Sequence, residues 1–101
     1  PCACSLFHRL KVVFTNNSTL RNVLFTDGDK DPWRVGGVPA DSAKIGDGSV
    51  IHILIEGGAH HQDLRHADSR DPPGVTAAKL RERELILHWI AQARSAAKKR
   101  L

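Results

Sequence analysis

The chain has 101 residues, 41% of them hydrophobic, which is enough for one small packed domain or for part of a larger one. No apolar run approaches the roughly 18–20 residues of a membrane-spanning helix, so the sequence predicts no membrane partner. The formal charge is +4, and basic residues cluster near the C-terminus. We interpret them as cations that complement a helix dipole, not as a nucleic-acid site, because no aromatic residue alternates with them.

Residues 1–20 show no clear pattern, and we treat them as a separate N-terminal segment. Within it, "RLKVVF" favours a short strand and "TNNST" a turn. Asn16 and Asn17 begin two overlapping glycosylation sequons, which mildly indicates a secretory route. Cys2 and Cys4 lie too close in sequence to bridge each other easily, and no zinc-ligand spacing is present.

Two apolar runs predict strands. "RNVLFT" (21–26) is compact and ends at Asp-Gly, which is typical of a buried strand. "SVIHILIE" (49–56) is almost continuously β-branched, which predicts burial on both faces in a parallel sheet covered by helices. The Gly- and Asp-rich residues 34–49 between them predict a loop with one helical turn.

The C-terminal third predicts one long helix. Asp71 is a candidate N-cap, followed by prolines in the first turn. The apolar stripe of this helix comprises Leu85, Ile86, Trp89, Ile90 and Ala93. Two buried strands and one helix cannot close a doubly covered sheet. Since the chain also begins at Pro1 and has no methionine, we expect it to be part of a longer α/β protein.

The stretch "FTDGDKDPW" (25–33) places Asp27, Asp29 and Asp31 at alternate positions. A calcium loop of the EF-hand type that starts at Asp27 needs glycine at position 6 and glutamate at position 12. This chain has Pro32 and Val38 there. The sequence therefore argues against a calcium site.

The stretch "EGGAHHQDLRH" (56–66) contains a second cluster of titratable side chains: His60, His61, Asp63 and His66. Adjacent histidines rarely aim at one ion, and no HExxH helix is present, so we expect no metal. An ordinary polar surface loop is the alternative that the spacing leaves open.

A third interpretation uses both stretches. Asp31 follows the end of one predicted strand and His60 follows the end of the next, and sites of open α/β sheets form at the carboxyl ends of strands. Hydrolases of the α/β type order their triad as Ser, Asp, His. In such a triad the carboxylate accepts the Nδ1 proton of the imidazole and fixes its tautomer.

The segments "NVLFTDGDKDPWRVGGV" and "VIHILIEGGAHHQDLRHADSRDPPGV" closely resemble the C-terminal part of the serine exopeptidases that include lysosomal Pro-Xaa carboxypeptidase and dipeptidyl peptidase II. The resemblance covers about residues 21 to 94. It implies that residues 21–101 are the C-terminal part of an α/β-hydrolase catalytic domain. It also implies that Asp31 is the triad acid and His60 the triad base, with Trp33 beside the substrate pocket, although a core tryptophan would explain Trp33 as well.

The resemblance further implies peptide substrates with proline near the cleaved bond, no cofactor, a lysosomal, vacuolar or secreted location, and a homodimer of the intact enzyme. We expect His60, not His61, to meet Asp31. His61 is expected to point away and to support the loop, with Asp63 as its candidate partner.

Two departures accompany the resemblance. The family usually has Asn-Gly where this chain has Asp27-Gly28, and a hydrophobic residue where it has Lys30. No Gly-x-Ser-x-Gly motif occurs. We therefore expect the 101 residues alone to be inactive, with the nucleophile upstream. The competing hypothesis is a truncated, non-catalytic remnant with a binding role or none.

Overall fold

The structure is a computed structural model that describes residues 21–38 and 49–101. Its elements, in chain order, are strand β1 (Val23–Gly28), a 3₁₀ helix (Pro32–Gly36), strand β2 (Val50–Ile55) and helix α1 (Pro73–Lys99). The predicted strand at "RLKVVF", the predicted turn at "TNNST" and both sequons lie outside the described residues. None of the described helices is long and apolar enough to cross a membrane.

The two strands pair in parallel, as expected, with Val23 opposite Val50 and Gly28 opposite Ile55. Since both strands run in the same direction, the loops that follow Gly28 and Ile55 leave the sheet at the same edge. This arrangement brings the two polar stretches of the sequence together.

One face of the sheet packs against α1. The core cluster joins Ile55 of β2 to Val75 and Ala78 of the helix, and Ile53 packs against it. Alternate residues of a strand share a face. Thr26, which pairs with Ile53 in the register, therefore faces the helix as well.

The opposite face lacks the cover that the sequence predicted, among the residues that the structure describes. Leu54 on this face is 55% exposed. The continuous apolar character of β2 is therefore matched by burial on the helix side but only partly on the other side.

The buried side of α1 differs from the predicted stripe. Val75, Ala78 and Leu85 are buried, whereas Ile86 and Ile90 are 48% and 42% exposed. The predicted stripe is confirmed at Leu85, and Trp89 is partly buried, but it was wrong at Ile86 and Ile90. The buried side follows the i, i+3, i+7 spacing set at the start of the helix, where Val75 meets β2.

Asp71 is not the N-cap of α1. The helix begins one residue later than a cap at Asp71 would allow, with Pro72 at the cap position and no side-chain hydrogen bond there. The Asp71 carboxylate instead pairs with Lys79 Nζ at 2.7 Å. The lysine also donates to the His66 carbonyl, and the two contacts tie the end of the histidine loop to the helix.

Candidate active site

The acid turn follows directly from the sequence Asp31-Pro32-Trp33. A residue before proline avoids the helical region, and Asp31 is extended, with φ −84° and ψ 114°. Pro32 then opens the 3₁₀ helix, and the Asp31 Oδ1 atom accepts a hydrogen bond from the Trp33 backbone N–H at 2.9 Å. Asp31 is thus an N-cap with one carboxylate oxygen left over.

The acid turn and the histidine loop are joined through their backbones. The Lys30 N–H donates to the Gly58 carbonyl at 3.0 Å, and the Gly57 N–H donates to the Asp29 carboxylate at 2.9 Å. Gly28 permits this approach, because a Cβ atom there would lie 2.2 Å from the Gly58 carbonyl oxygen. Gly57 turns the chain after β2 with φ +73°, a conformation that favours glycine.

The second Asp31 oxygen meets His60. Oδ2 lies 2.6 Å from His60 Nδ1, within the distance expected of an acid that orients an imidazole. Asp31 is 7% exposed, whereas the His60 side chain is 48% exposed. The carboxylate is therefore sheltered, and the imidazole stands at the surface with Nε2 unused by this contact.

The surroundings of Asp31 favour its ionised form. Burial on its own would raise the pKa of this carboxyl. The hydrogen bonds from His60 and from the Trp33 N–H lower the pKa, and so do the nearby charges of His60 and His61. The net effect lowers the pKa of Asp31 below its ordinary value. An ionised acceptor beside Nδ1 keeps the ring proton on that nitrogen.

His61 does not behave entirely as expected. Its ring stays against His60, with the two ring centroids 3.7 Å apart, because His61 adopts a left-handed backbone with φ 57°. The expectation that Asp63 is the partner of His61 was also wrong. The Asp63 carboxylate accepts a hydrogen bond from Thr26 Oγ1 of β1 at 2.7 Å.

A second histidine–aspartate pair was missed from the sequence. His52 Nε2 lies 2.8 Å from Asp27 Oδ2, and the two side chains are 7% and 18% exposed. In the register His52 is opposite Phe25, so the contact to Asp27 runs diagonally across the strands. Asp27 also lies beside Gly37, where a Cβ would come within 2.6 Å of its carboxylate.

The three carboxylates between residues 27 and 31 therefore have three separate partners. Asp27 meets His52, Asp29 meets the Gly57 N–H and Asp31 meets His60. Ligands of a calcium ion would converge on one point, whereas these three carboxylates do not. Over 21–38 and 49–101, no three His, Cys, Asp or Glu side chains are grouped to hold a metal ion.

Trp33 is 67% exposed in the described part of the chain. Trp33 is therefore not a core residue of this structure. Its backbone contributes to the site through the N–H that holds Asp31, and its indole stands on the surface next to the acid.

Comparison with known proteins places this sequence in a family. The model of the serine carboxypeptidase S28 family matches residues 13–82. Lysosomal Pro-X carboxypeptidase of Bos taurus is 38% identical over 76 residues, which cover 75% of this chain and 14% of the relative. The mouse protein of that name is 40% identical over 75 residues, covering 74% of this chain and 14% of the relative.

A nematode relative gives the same result. Prolyl carboxy peptidase like protein 5 of Caenorhabditis elegans is 36% identical over 78 residues, 77% of this chain and 15% of the relative. No solved structure matches the chain. The matched part spans only about one seventh of the length of these relatives. Because the family model covers more than half of the 101 residues, the chain belongs to the serine carboxypeptidase S28 family.

Proposed function

We propose that this chain is the C-terminal part of a serine exopeptidase and supplies two members of its Ser-Asp-His triad. Asp31 is the acid and His60 the general base. The observation that carries the proposal is the sheltered Asp31 carboxylate, held on one oxygen by the Trp33 N–H and on the other by His60 Nδ1.

The contact between Asp31 and His60 supports the role of general base for His60. With its proton on Nδ1 and donated to Asp31, the neutral ring presents the Nε2 lone pair outward. A serine hydroxyl placed there transfers its proton to Nε2 as the oxygen attacks the peptide carbonyl. The ionised Asp31 stabilises the resulting imidazolium, which explains why its lowered pKa suits the role.

His60 then acts as an acid. It returns the proton to the nitrogen of the leaving group, and the peptide bond breaks to give an acyl-enzyme. Water, deprotonated by the same ring, releases the product and regenerates the serine. The nucleophile and the oxyanion donors come from outside these 101 residues, in keeping with the small share of the relatives that this chain spans.

The wider features follow from the family. We infer an α/β-hydrolase catalytic domain, of which the parallel β1–β2 pair and α1 form one part. Peptides with proline near the cleaved bond are the proposed substrates, and an acidic compartment such as the lysosome is the proposed location, since relatives carry the name Pro-X carboxypeptidase with that location. The exposed Trp33 is proposed to contact the substrate, and a homodimer is proposed for the intact enzyme.

The test uses the full-length protein that carries this sequence. We expect it to react with a fluorophosphonate probe and to hydrolyse peptides with proline next to either terminus. His60→Ala should abolish both reactions, because it removes the proposed general base. His61→Ala is the matched control and should leave most of both, since His60 is the histidine whose ring nitrogen meets Asp31.

Two outcomes contradict the proposal. One is labelling and hydrolysis that survive His60→Ala but are lost in His61→Ala. The other is turnover of proline-containing peptides by residues 1–101 alone with inhibition by the serine probe, because the proposal places the nucleophile elsewhere.

A further inference from the structure

A charged side chain occupies the buried stripe of α1. Counting from Val75 and Ala78, the next core position is residue 82, followed by Leu85. Glu82 stands there, partly buried, and its Oε1 atom is fully buried without a hydrogen-bond partner among the described residues. A buried carboxyl oxygen without a partner is costly, so this arrangement calls for an explanation.

The neighbour of Glu82 is Asp63, on the histidine loop three residues after His60. The two residues line one open cavity between the loop and the helix, and the Asp63 carboxylate raises the pKa of Glu82 through its charge and through a hydrogen bond to the protonated form. Asp63 in turn accepts from Thr26 on β1 at 2.7 Å. Thr26, Asp63 and Glu82 thus form a chain of contacts from the strand, through the loop, to the helix.

The charged side chains around Asp63 and Glu82 do not remove the repulsion between these two carboxyl groups. Lys79 lies one turn before Glu82, but its ammonium is committed to Asp71 at 2.7 Å and to the His66 carbonyl at 3.1 Å. Arg65 of the loop and Arg83 of the helix line the same open cavity, of about 380 Å³, together with both carboxyls and Lys79. Neither arginine makes an ion pair with Glu82 or Asp63 within 4.0 Å among the described residues.

We propose that Asp63 and Glu82 share one proton and that this carboxyl pair is a brace that positions the His60 loop. Glu82 is the positioning residue: its protonated carboxyl donates to Asp63, which stays bonded to Thr26. Removing the proton leaves two carboxylates face to face and breaks this contact between the loop and α1, while the contacts of Lys79 at the end of the loop remain. The inference rests on the proposed function, because it concerns the regulation of that same site.

The electrostatics support this reading. Burial, then the Asp63 charge and its hydrogen bond, raise the pKa of Glu82 from 4.5 to about 7, and Lys79 offsets this only in part. In the folded enzyme the brace is therefore present below pH 7 and lost as the pH rises through 7. Since the unfolded chain titrates near 4.5, the associated stability is complete below pH 4.5 and declines between 4.5 and 7.

Glu82→Gln is the informative variant, because the amide still donates to Asp63 but has no proton to lose. From pH 6 to pH 8 a group with a pKa of 7 goes from about 90% to about 10% protonated. The ratio of kcat/KM in Glu82→Gln to that in the wild type should therefore rise roughly tenfold over this range.

Two further variants separate the brace from simple packing. Glu82→Leu fills the buried stripe but cannot donate, so it should have a lower kcat/KM than the wild type at pH 6 while the protein remains folded. At pH 8, where the wild type has already lost the brace, the two should differ little. Glu84→Gln changes an exposed glutamate on the same helix, with a side chain 70% exposed, and should follow the wild-type profile.

Amide hydrogen exchange of residues 59–66 in the full-length protein gives a readout that needs no catalysis. After correction for intrinsic rates, protection in the wild type should fall between pH 6 and pH 8, whereas Glu82→Gln should stay protected. If the protein shows this change but hydrolyses no peptide, the proposed function fails and the brace stands. An active enzyme in which Glu82→Gln and wild type share one pH profile and one exchange pattern would overturn the brace.

Discussion

Replacing Asp31 by asparagine separates the chemistry of the acid from its structural role. Asparagine has nearly the same shape, and its carbonyl oxygen can still accept the Trp33 N–H, which Asp31 holds at 2.9 Å. Its amide group then faces His60 Nδ1 and donates to it. The ring must place its own proton on Nε2, and the nitrogen that should receive the serine proton is already occupied.

The expected magnitudes differ for activity and stability. Because the base is held in the wrong tautomer, kcat should fall by on the order of 10⁴-fold in the intact enzyme. The cap remains, and a neutral hydrogen bond replaces a charge-assisted one, so we expect the free energy of unfolding to fall by only about 1 kcal/mol. Asp31→Ala removes the cap as well and should cost roughly 1 kcal/mol more.

The assay is steady-state hydrolysis of a proline-containing peptide, with urea unfolding of the same preparations. Asp27→Asn and Asp29→Asn are matched controls, because each removes one charge from the same turn and retains an oxygen for its own partner. We expect each to change kcat by less than about tenfold, since neither carboxylate contacts His60. A loss in Asp27→Asn as large as that in Asp31→Asn would show that the acid is misassigned.

Two other predictions concern the anchoring of the site in the intact enzyme. A double-mutant cycle of Asp27→Asn and His52→Gln, followed by urea unfolding, should give a coupling of about 1.5–3 kcal/mol, because both side chains are largely buried at 2.8 Å; additive effects would show that the pair contributes nothing. Gly28→Ala should lower stability by roughly 1–3 kcal/mol and reduce kcat, because the new Cβ falls 2.2 Å from the Gly58 carbonyl oxygen. Unchanged stability and kinetics in this variant would show that the two loops need not touch.

The sequence predicts those parts of the site that depend on local rules. Two apolar runs interrupted by glycine define the strands, and Asp31-Pro32 defines an extended residue followed by a capped turn. That an acid and a histidine meet there needed one further step, namely that parallel strands end at one edge of the sheet. The choice of Asp31 and His60 among the acids and histidines rested on the family resemblance.

The missed contacts depend on register and on helix phase. His52 lies inside an apolar run, and nothing in its spacing shows that it reaches diagonally to Asp27; that contact follows from Phe25 being opposite His52. Glu82 was overlooked because the helical stripe was started at Leu85. Extending the spacing back to Val75 would have placed a glutamate at a core position, which is the signal that sequence reasoning had available.

Three acids within five residues of one turn raise the question of why only one of them serves the histidine. The structure answers through the faces of the sheet. Asp27 is the last side chain of β1 before Gly28 and points to the face away from α1, where His52 meets it. The Asp29 carboxylate accepts a hydrogen bond from the Gly57 N–H, and this bond helps to fix the turn that leads to His60. Asp29 and Asp31 both lie beyond the strand end, but only Asp31 has a carboxylate oxygen that meets His60.

This division of partners also explains how the chain accommodates Asp27 at the strand end. Another carboxylate near the strand end would compete for His60 if it were left without a partner. Here His52 lies on the neighbouring strand, on the same face and within 2.8 Å, and holds the Asp27 carboxylate in place. Asp27 and His52 are therefore best understood as one pair. We expect an asparagine at residue 27 to make His52 dispensable for stability, whereas Asp31 and His60 should be required in either background.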